Sequence, residues 1–504
     1  MNRFTYSMVA LLGILLLPGV AASTDPTKDA MQKGNACFEK GDNDGAVAAY
    51  TEAIKLDPKN AEAYGDRGWA YTRKGEFDKA ILDCNHAIGL NSTLVVAIQV
   101  RGAIYGARGE FEKAIADYTQ AIRIAPKDAD AYCGRGNVYG SKGQFDNEIA
   151  DCSEAIRLRR DYAEAYYNRA IAFGSKGELE KAVADSTEAI RLKPSFADAY
   201  QCRGWVRSIK GNFDESVADY TDAIRLDPGN VKTLCGRGLT YLRKGEVDKA
   251  IADCTEAIRL NPRYAEAYVL RGWSYTHKGD HDNAIADYTK AIRFAPTMAE
   301  AYEKRGLVYE NEGDHDKAIA DYTEAIRLNP KDAYAYFNRG VVYAHTSEHD
   351  KAVADFTEAI RLDPQGTDAY YNRGYAYFNK GDYNKAIADY TEAIRLNPND
   401  ARAIFCRGWA YDRKGYLNKG IDDYTEAIRL FPKNASAYHM RGAAYARKRD
   451  YDKAIGDFTD AIQLDPNDAK AYYVRGLAYS QKGETDKARA DFAQAKKLGY
   501  KAPR

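Results

Sequence analysis

Five of the seven histidines, His277, His281, His315, His345 and His349, sit in one stretch beside Asp280, Asp282, Asp314, Asp316 and Asp350. Imidazoles and carboxylates at that density suit a borderline divalent ion such as Zn2+ or Ni2+. The rest of the chain weakens that assignment. His281, His315 and His349 stand where other segments carry Phe or Tyr, and the acids flank helix starts, so no metal and no cofactor are assigned. The eight cysteines show no C-x-x-C spacing. Cys133/Cys152 and Cys235/Cys254 are each 19 residues apart, at positions expected to face different sides, which favours free or buried thiols. No Ser-His-Asp, Cys-His or paired-carboxylate set stands apart, so no catalytic residue is named. What remains for recognition is aromatic. The candidate residues are Tyr167, Phe337, Tyr371, Tyr375, Phe378, Phe405, Trp409 and Tyr473, together with the isolated Trp69, Trp205 and Trp273.

The elements that must position these rings are set by a repeat. The phrase A-D-Y-T-E-A-I-R-L returns every 34 residues, and fourteen units run without a gap from Thr27 to Ala502, so that 26 + 14 × 34 + 2 = 504. Positions are numbered 1 to 34 within each repeat, with Thr27 and Ala61 at position 1 of the first two. Apolar residues at helical spacing fill two segments divided by a turn such as Gly75-Glu76 or Gly279-Asp280, which predicts a helix hairpin. Eleven of the fourteen prolines occupy one place near the end of the unit, where they stop the second helix. Gly fills position 8 in thirteen repeats, with Ala170 the exception, and Ala fills position 27 in all fourteen. Small residues there let the helices approach.

Tyr64, Gly68, Tyr71, Ala80, Cys84, Ala87 and Ser92, at positions 4, 8, 11, 20, 24, 27 and 32, carry a resemblance to the tetratricopeptide repeat family over residues 27–502; Cys84 and Ser92 depart from the usual aromatic and proline. The resemblance implies an all-α fold, a right-handed superhelical solenoid of antiparallel helix hairpins, with no catalytic activity. It also implies a concave face lined by positions 2, 5, 9, 12 and 13. On that face the four tryptophans stand at position 9, while Tyr167, Phe337, Tyr371, Phe405 and Tyr473 stand at position 5. The densest strip is Phe337, Tyr371, Tyr375, Phe378, Phe405 and Trp409, in repeats 10 to 12. Replacing Phe405 and Trp409 by Ala is expected to abolish partner capture with little change in unfolding. The Lys and Asn set by which some family members grip a chaperone's terminal carboxylate is not supplied by any three successive repeats.

Subtracting what recurs isolates the scaffold. Positions 4, 11 and 24 hold 28 of the 40 tyrosines, which are expected to pack helices. Position 7 is Arg and position 23 Asp in the same thirteen repeats, as in Arg373 and Asp389, predicting an ion pair within a repeat or to its neighbour that sets helix register. Arg489 and Lys496 in repeat 14 replace apolar residues and are expected to form a charged cap. Repeats 4 to 6 carry Glu148, Arg160, Ser186, Arg207 and Ser216 against the pattern, marking either a hinge or drift.

The 73 cations balance 73 anions, which leaves no net basic footprint for nucleic acid. Met1–Ala22, with Arg3, an apolar run and small residues before a cut after Ala22, reads as a secretory signal followed by a short lead, 23–26. No later stretch is long enough for membrane insertion. The expected protein is therefore periplasmic or secreted, a non-enzymatic scaffold holding an extended segment of a protein partner. The alternative is a glycan-binding scaffold, since the same rings stack on sugars.

Overall fold

The computed structural model describes residues 25–501, so the expected signal Met1–Ala22 lies outside the described residues. Among those residues there are 28 α-helices and no strand. The chain divides into two compact units, Met1–Pro262 and Arg263–Arg504, each containing fourteen of the helices. In both units successive helices pair as antiparallel hairpins, and each hairpin packs on the next.

Repeat 2 shows how one unit of sequence makes one hairpin. Its first helix, Ala61–Arg73, starts at Asn60, whose side chain accepts from the Ala63 N–H, and its second, Phe77–Leu90, follows a three-residue turn. The turn needs a left-handed residue, supplied by Gly75 at φ 76°. In repeats 10 and 13 that place is held by Ser347 and Arg449, at φ 63° and 64°. At the chain's first helix, Pro26–Glu39, Asp25 accepts from the Thr27 N–H and Pro26 occupies the first turn.

The small residues do what their recurrence suggests. A Cβ added to Gly374 at position 8 would meet Cε1 of the Tyr390 ring, at position 24, at 3.0 Å. Repeat 5 tolerates Ala170 there because Ser186 replaces the ring at position 24; both are fully buried. The position-27 alanines, Ala53 to Ala495, are buried in every repeat.

The recurrent Arg and Asp form a bidentate pair inside each of thirteen repeats. Arg373 Nε donates to Asp389 Oδ2 at 2.8 Å and Nη2 to Oδ1 at 2.7 Å. The third guanidinium nitrogen reaches backward, Nη1 donating to Thr357 Oγ1 of the preceding repeat at 3.1 Å. The same backward bond forms from Arg67 to Thr51 and from Arg475 to Thr459. The guanidinium also lies between the rings at positions 4 and 11, as Arg339 does 5.9 Å from both Tyr336 and Tyr343. Two of the three tyrosine positions thus bracket the bridge, and the third, position 24, is the buried ring of the core.

Of the irregular residues of repeats 4 to 6, Glu148, Ser186, Arg207 and Ser216 are absorbed within intact helices, and Arg160 falls in the turn after Phe145–Leu158. Ser186 donates to the Ala182 carbonyl at 2.7 Å, Ser216 to the Gly204 carbonyl at 2.7 Å, and Arg207 joins Arg203 on Asp219. Arg489 and Lys496 are exposed.

Candidate partner-binding face

Position 5 does not present a free ring. Phe337 packs on Phe356 with centroids 5.8 Å apart, Tyr371 on Tyr390 at 5.9 Å, Phe405 on Tyr424 at 5.6 Å and Tyr473 on Phe492 at 5.6 Å. In each pair the partner is the position-24 residue 19 places on. Positions 5 and 24 therefore meet across the hairpin. This corrects the expectation that Cys133/Cys152 and Cys235/Cys254 occupy opposite sides: the first pair fills the same contact with two small side chains. Cys37, Cys84, Cys133, Cys152 and Cys406 are nevertheless free thiols. Burial pushes the Cys133 thiol up to about 12 and raises Cys152 as well, so both stay protonated and unreactive.

Within the second unit the strip forms on three successive first helices, Ala333–His345, Thr367–Asn379 and Ala401–Arg413. Phe337, Tyr371, Phe378, Phe405 and Trp409 are half-buried, and Tyr375 is 41% exposed. Phe378 and Trp409 join adjacent repeats, their centroids 4.3 Å apart, and Phe378 also meets Tyr383 at 5.3 Å. The Tyr371 hydroxyl lies 3.8 Å from Cys406 Sγ, and Arg402 covers its ring at 5.1 Å. Because Phe405 and Trp409 both support neighbours, their joint removal will cost stability, contrary to the expectation of little change.

The other two sequence candidates stand apart. Tyr473, in repeat 14, is covered by Tyr500 at 4.5 Å. Tyr167, in the first unit, packs on Phe196 at 5.0 Å. Tyr334, 51% exposed at position 2 of repeat 10, and Leu477, 43% exposed at position 9 of repeat 14, belong to the same set of positions and were missed. Positions 2 and 9 carry the signal for these two residues in the sequence.

The isolated tryptophans have local partners. Trp69 packs on Phe38 at 4.8 Å with Arg73 3.9 Å from the Phe38 ring, and Lys304 Nζ lies 5.7 Å from Trp273. Among the histidines, His277 Nδ1 lies 3.1 Å from the Trp273 carbonyl oxygen, His281 faces Glu312 at 3.5 Å, and His315 and His345 stand 6.4 Å apart. Among the described residues no three His, Cys, Asp or Glu side chains converge as metal ligands, and no helix is long and apolar enough to cross a membrane.

Some carboxyls on these first helices are held well above their ordinary range. Burial, reinforced by Glu62, pushes Asp66 of repeat 2 up to about 7. Burial also raises Glu303 and Glu310 of repeat 9, against the opposing pull of Lys304 on the first and of the Tyr322 hydroxyl on the second.

The hairpins, their fixed length and their repeated glycine and alanine contacts define a helical-repeat protein. Family models described as tetratricopeptide repeat match residues 61–93, 129–162, 163–196, 203–259, 235–299, 303–367, 367–400, 401–434, 435–468 and 458–490, and one described as TPR repeat matches 34–75 and 102–143. The chain belongs to the tetratricopeptide repeat family. Similar solved structures include the APC/C hetero-tetramer Cut9-Hcn1, at 16% identity and TM-score 0.43, covering 90% of this chain and 96% of that one. MamA matches at 30% identity and TM-score 0.32, covering 33% of this chain and 96% of that one. Repeats of this family bind protein partners, which makes this chain a protein–protein interaction scaffold.

Proposed function

We propose that this scaffold is a non-enzymatic adaptor of the cell envelope, periplasmic or secreted, that holds an extended partner segment along the aromatic face of repeats 10 to 12. The observation that carries the reading is the set of partly exposed rings, from Tyr334 and Phe337 through Tyr375 to Trp409, on three consecutive first helices. Contiguous aromatic surface of this kind is costly to leave in water and gives large contact area at low entropic cost. The leader-like residues Met1–Ala22 support the compartment.

Tyr334→Ala with Tyr375→Ala tests the face with the smallest structural penalty, because these two rings are the most exposed of the set. In pull-downs from an envelope fraction, the double variant is expected to lose its principal partner by about tenfold or more, which corresponds to ~1.4 kcal/mol. Its thermal unfolding is expected to shift by no more than about 2 °C. Capture equal to wild type refutes the assignment. Saturable binding on a glycan array, lost in the same variant, replaces the peptide with a sugar.

A further inference from the structure

A ladder of cross-repeat pairs follows the hairpin turns and is broken in one place. Position 14, at the end of the first helix, is Lys or Arg in twelve repeats, and position 18, in the first turn of the second helix, is Asp or Glu in twelve. The cation of one repeat reaches the position-18 side chain of the repeat before it: Lys74 to Asp44 at 2.6 Å, Lys244 to Asp214 at 2.7 Å and Lys482 to Asp452 at 2.5 Å. Lys380 pairs with Asp350 in the same way, and Lys414 and Lys448 donate to Asn384 and Asn418. Only Glu312 and Thr346, in repeats 9 and 10, bring no cation to position 14.

The histidines stand at that break. His281, His315 and His349 occupy position 17, next to the position-18 acid, in repeats 8, 9 and 10, and no other repeat has a histidine there. His281 Nδ1 lies 3.5 Å from Oε1 of Glu312, so the missing rung is replaced by an imidazole facing a carboxylate, with the two sides exchanged. At the next junction His315 of repeat 9 meets His345 of repeat 10, their ring centroids 6.4 Å apart. These are positions 17 and 13, which between repeats 11 and 12 are Tyr383 and Arg413, the Arg413 Nε donating to the Tyr383 hydroxyl at 3.2 Å. A permanent cation is again exchanged for an imidazole. His315 Nδ1 makes no hydrogen bond, so no bond is lost when that nitrogen changes its protonation.

The charges around these rings are mostly acidic. His281 has Asp280 and Asp282 beside it in the chain, His277 and Lys278 at the end of the helix Ala265–Lys278, and Glu312 just beyond the helix Ala299–Asn311. His315 has Asp314 and Asp316 beside it, Glu310 and Glu312 at the end of the preceding helix, and His345 from the next repeat. Asp314 is engaged by Lys317 at 2.5 Å. Glu310 accepts from the Tyr322 hydroxyl at 2.8 Å; burial raises it, and the hydroxyl, His345 and His315 draw it back. Asp282 and Asp316 receive no lysine from the following repeat, where Glu312 and Thr346 stand. His349 lies beyond the break, since Glu348 is paired with Lys351 and Asp350 with Lys380.

We propose that the junctions joining repeats 8, 9 and 10 form a pH-sensitive joint in the array. Histidine changes its charge between about pH 5 and 8. While the rings are neutral, neither junction has the tie that lysine supplies elsewhere, and Asp282, Glu312 and Asp316 place like charges along the turn edge. Protonation of His281 makes an ion pair with Glu312 and joins repeat 8 to repeat 9. A proton taken up by the His315 and His345 pair is held by Glu310 and joins repeat 9 to repeat 10. Acidification therefore tightens these two junctions, while the lysine-to-carboxylate rungs keep their charges over the same range. Partly exposed pairs are individually weak, so the response is a change in local opening and leaves the fold intact.

Hydrogen exchange of the full chain at about pH 5.5 and about pH 7.5, corrected for the intrinsic pH dependence of amide exchange, tests the joint. Residues 277–350 are expected to gain about threefold or more protection at the lower pH relative to repeats 2 to 4, whose rungs keep fixed charges. Glu312→Lys with Thr346→Lys completes the ladder and is expected to give that protection at both pH values. His281→Phe and His315→Phe install the ring that position 17 holds in repeats 2 to 4, and His345→Asn the residue that position 13 holds in repeats 9 and 11. This triple variant is expected to lose the pH response whatever its overall stability. Equal protection of residues 277–350 at the two pH values, or a loss at the lower one, overturns the proposal. So does a response that survives the triple variant, or a lysine variant no better protected than wild type at the higher pH.

Discussion

Ser347 and Arg449 hold a left-handed backbone that glycine supplies at twelve equivalent turns. An L side chain in that region costs about 1 kcal/mol relative to glycine. Ser347→Gly and Arg449→Gly are each expected to stabilise the chain by about 0.5–1 kcal/mol in chemical denaturation, because relief of the folded-state strain exceeds the extra freedom given to the unfolded chain. A loss of stability in either variant would show that the side chain earns its place through contacts. These residues were visible in the sequence as departures from glycine, but the sign of φ was not. The carboxyls of Glu303 and Glu310 are a sharper case: as letters they resemble any exposed helix acid, and only the packing around them reveals that they are desolvated.

At the scale of the helix pair, the Arg-to-Asp bridge recurs in thirteen of the fourteen repeats. Its guanidinium ties the two helices of one hairpin through Asp389 and the previous hairpin through Thr357, with 16% and 9% exposure of the Arg373 and Asp389 side chains. A double-mutant cycle on Arg373→Leu and Asp389→Leu is expected to give a coupling of about 1–3 kcal/mol, with each single variant worse than the pair, since each alone strands a half-buried charge. Zero coupling would reduce the bridge to a solvated contact. The pairing partner was legible from matched recurrence at positions 7 and 23. The threonine was not, because Thr at position 25 reads as an ordinary polar residue until the neighbouring repeat is stacked beside it.

At the scale of the whole molecule, each repeat within a unit touches mainly its neighbours, so damage should stay local. Gly374→Ala pushes a methyl into the fully buried Tyr390 ring and is expected to cost about 1–3 kcal/mol. Hydrogen exchange should show the lost protection in repeats 10 to 12, while repeats 1 to 3 keep theirs. Uniform loss throughout the chain would contradict nearest-neighbour stability.

Sequence alone determined the period, the hairpins, the turn and stop residues, the small-residue contacts and the family, because each of these depends on partners at a constant offset along the chain. Tyr390 follows Gly374 by the same interval that separates Phe356 from Gly340, so recurrence exposes the contact without coordinates. Tertiary structure decided which rings still have a face to offer. Phe405 and Phe337 spend one face on position 24, Trp409 leans on Phe378, Tyr473 lies under Tyr500, and Tyr334 and Tyr375 remain open. The difference is physical: a ring's free surface is what its particular neighbours leave uncovered, and those neighbours vary from repeat to repeat while the offsets do not.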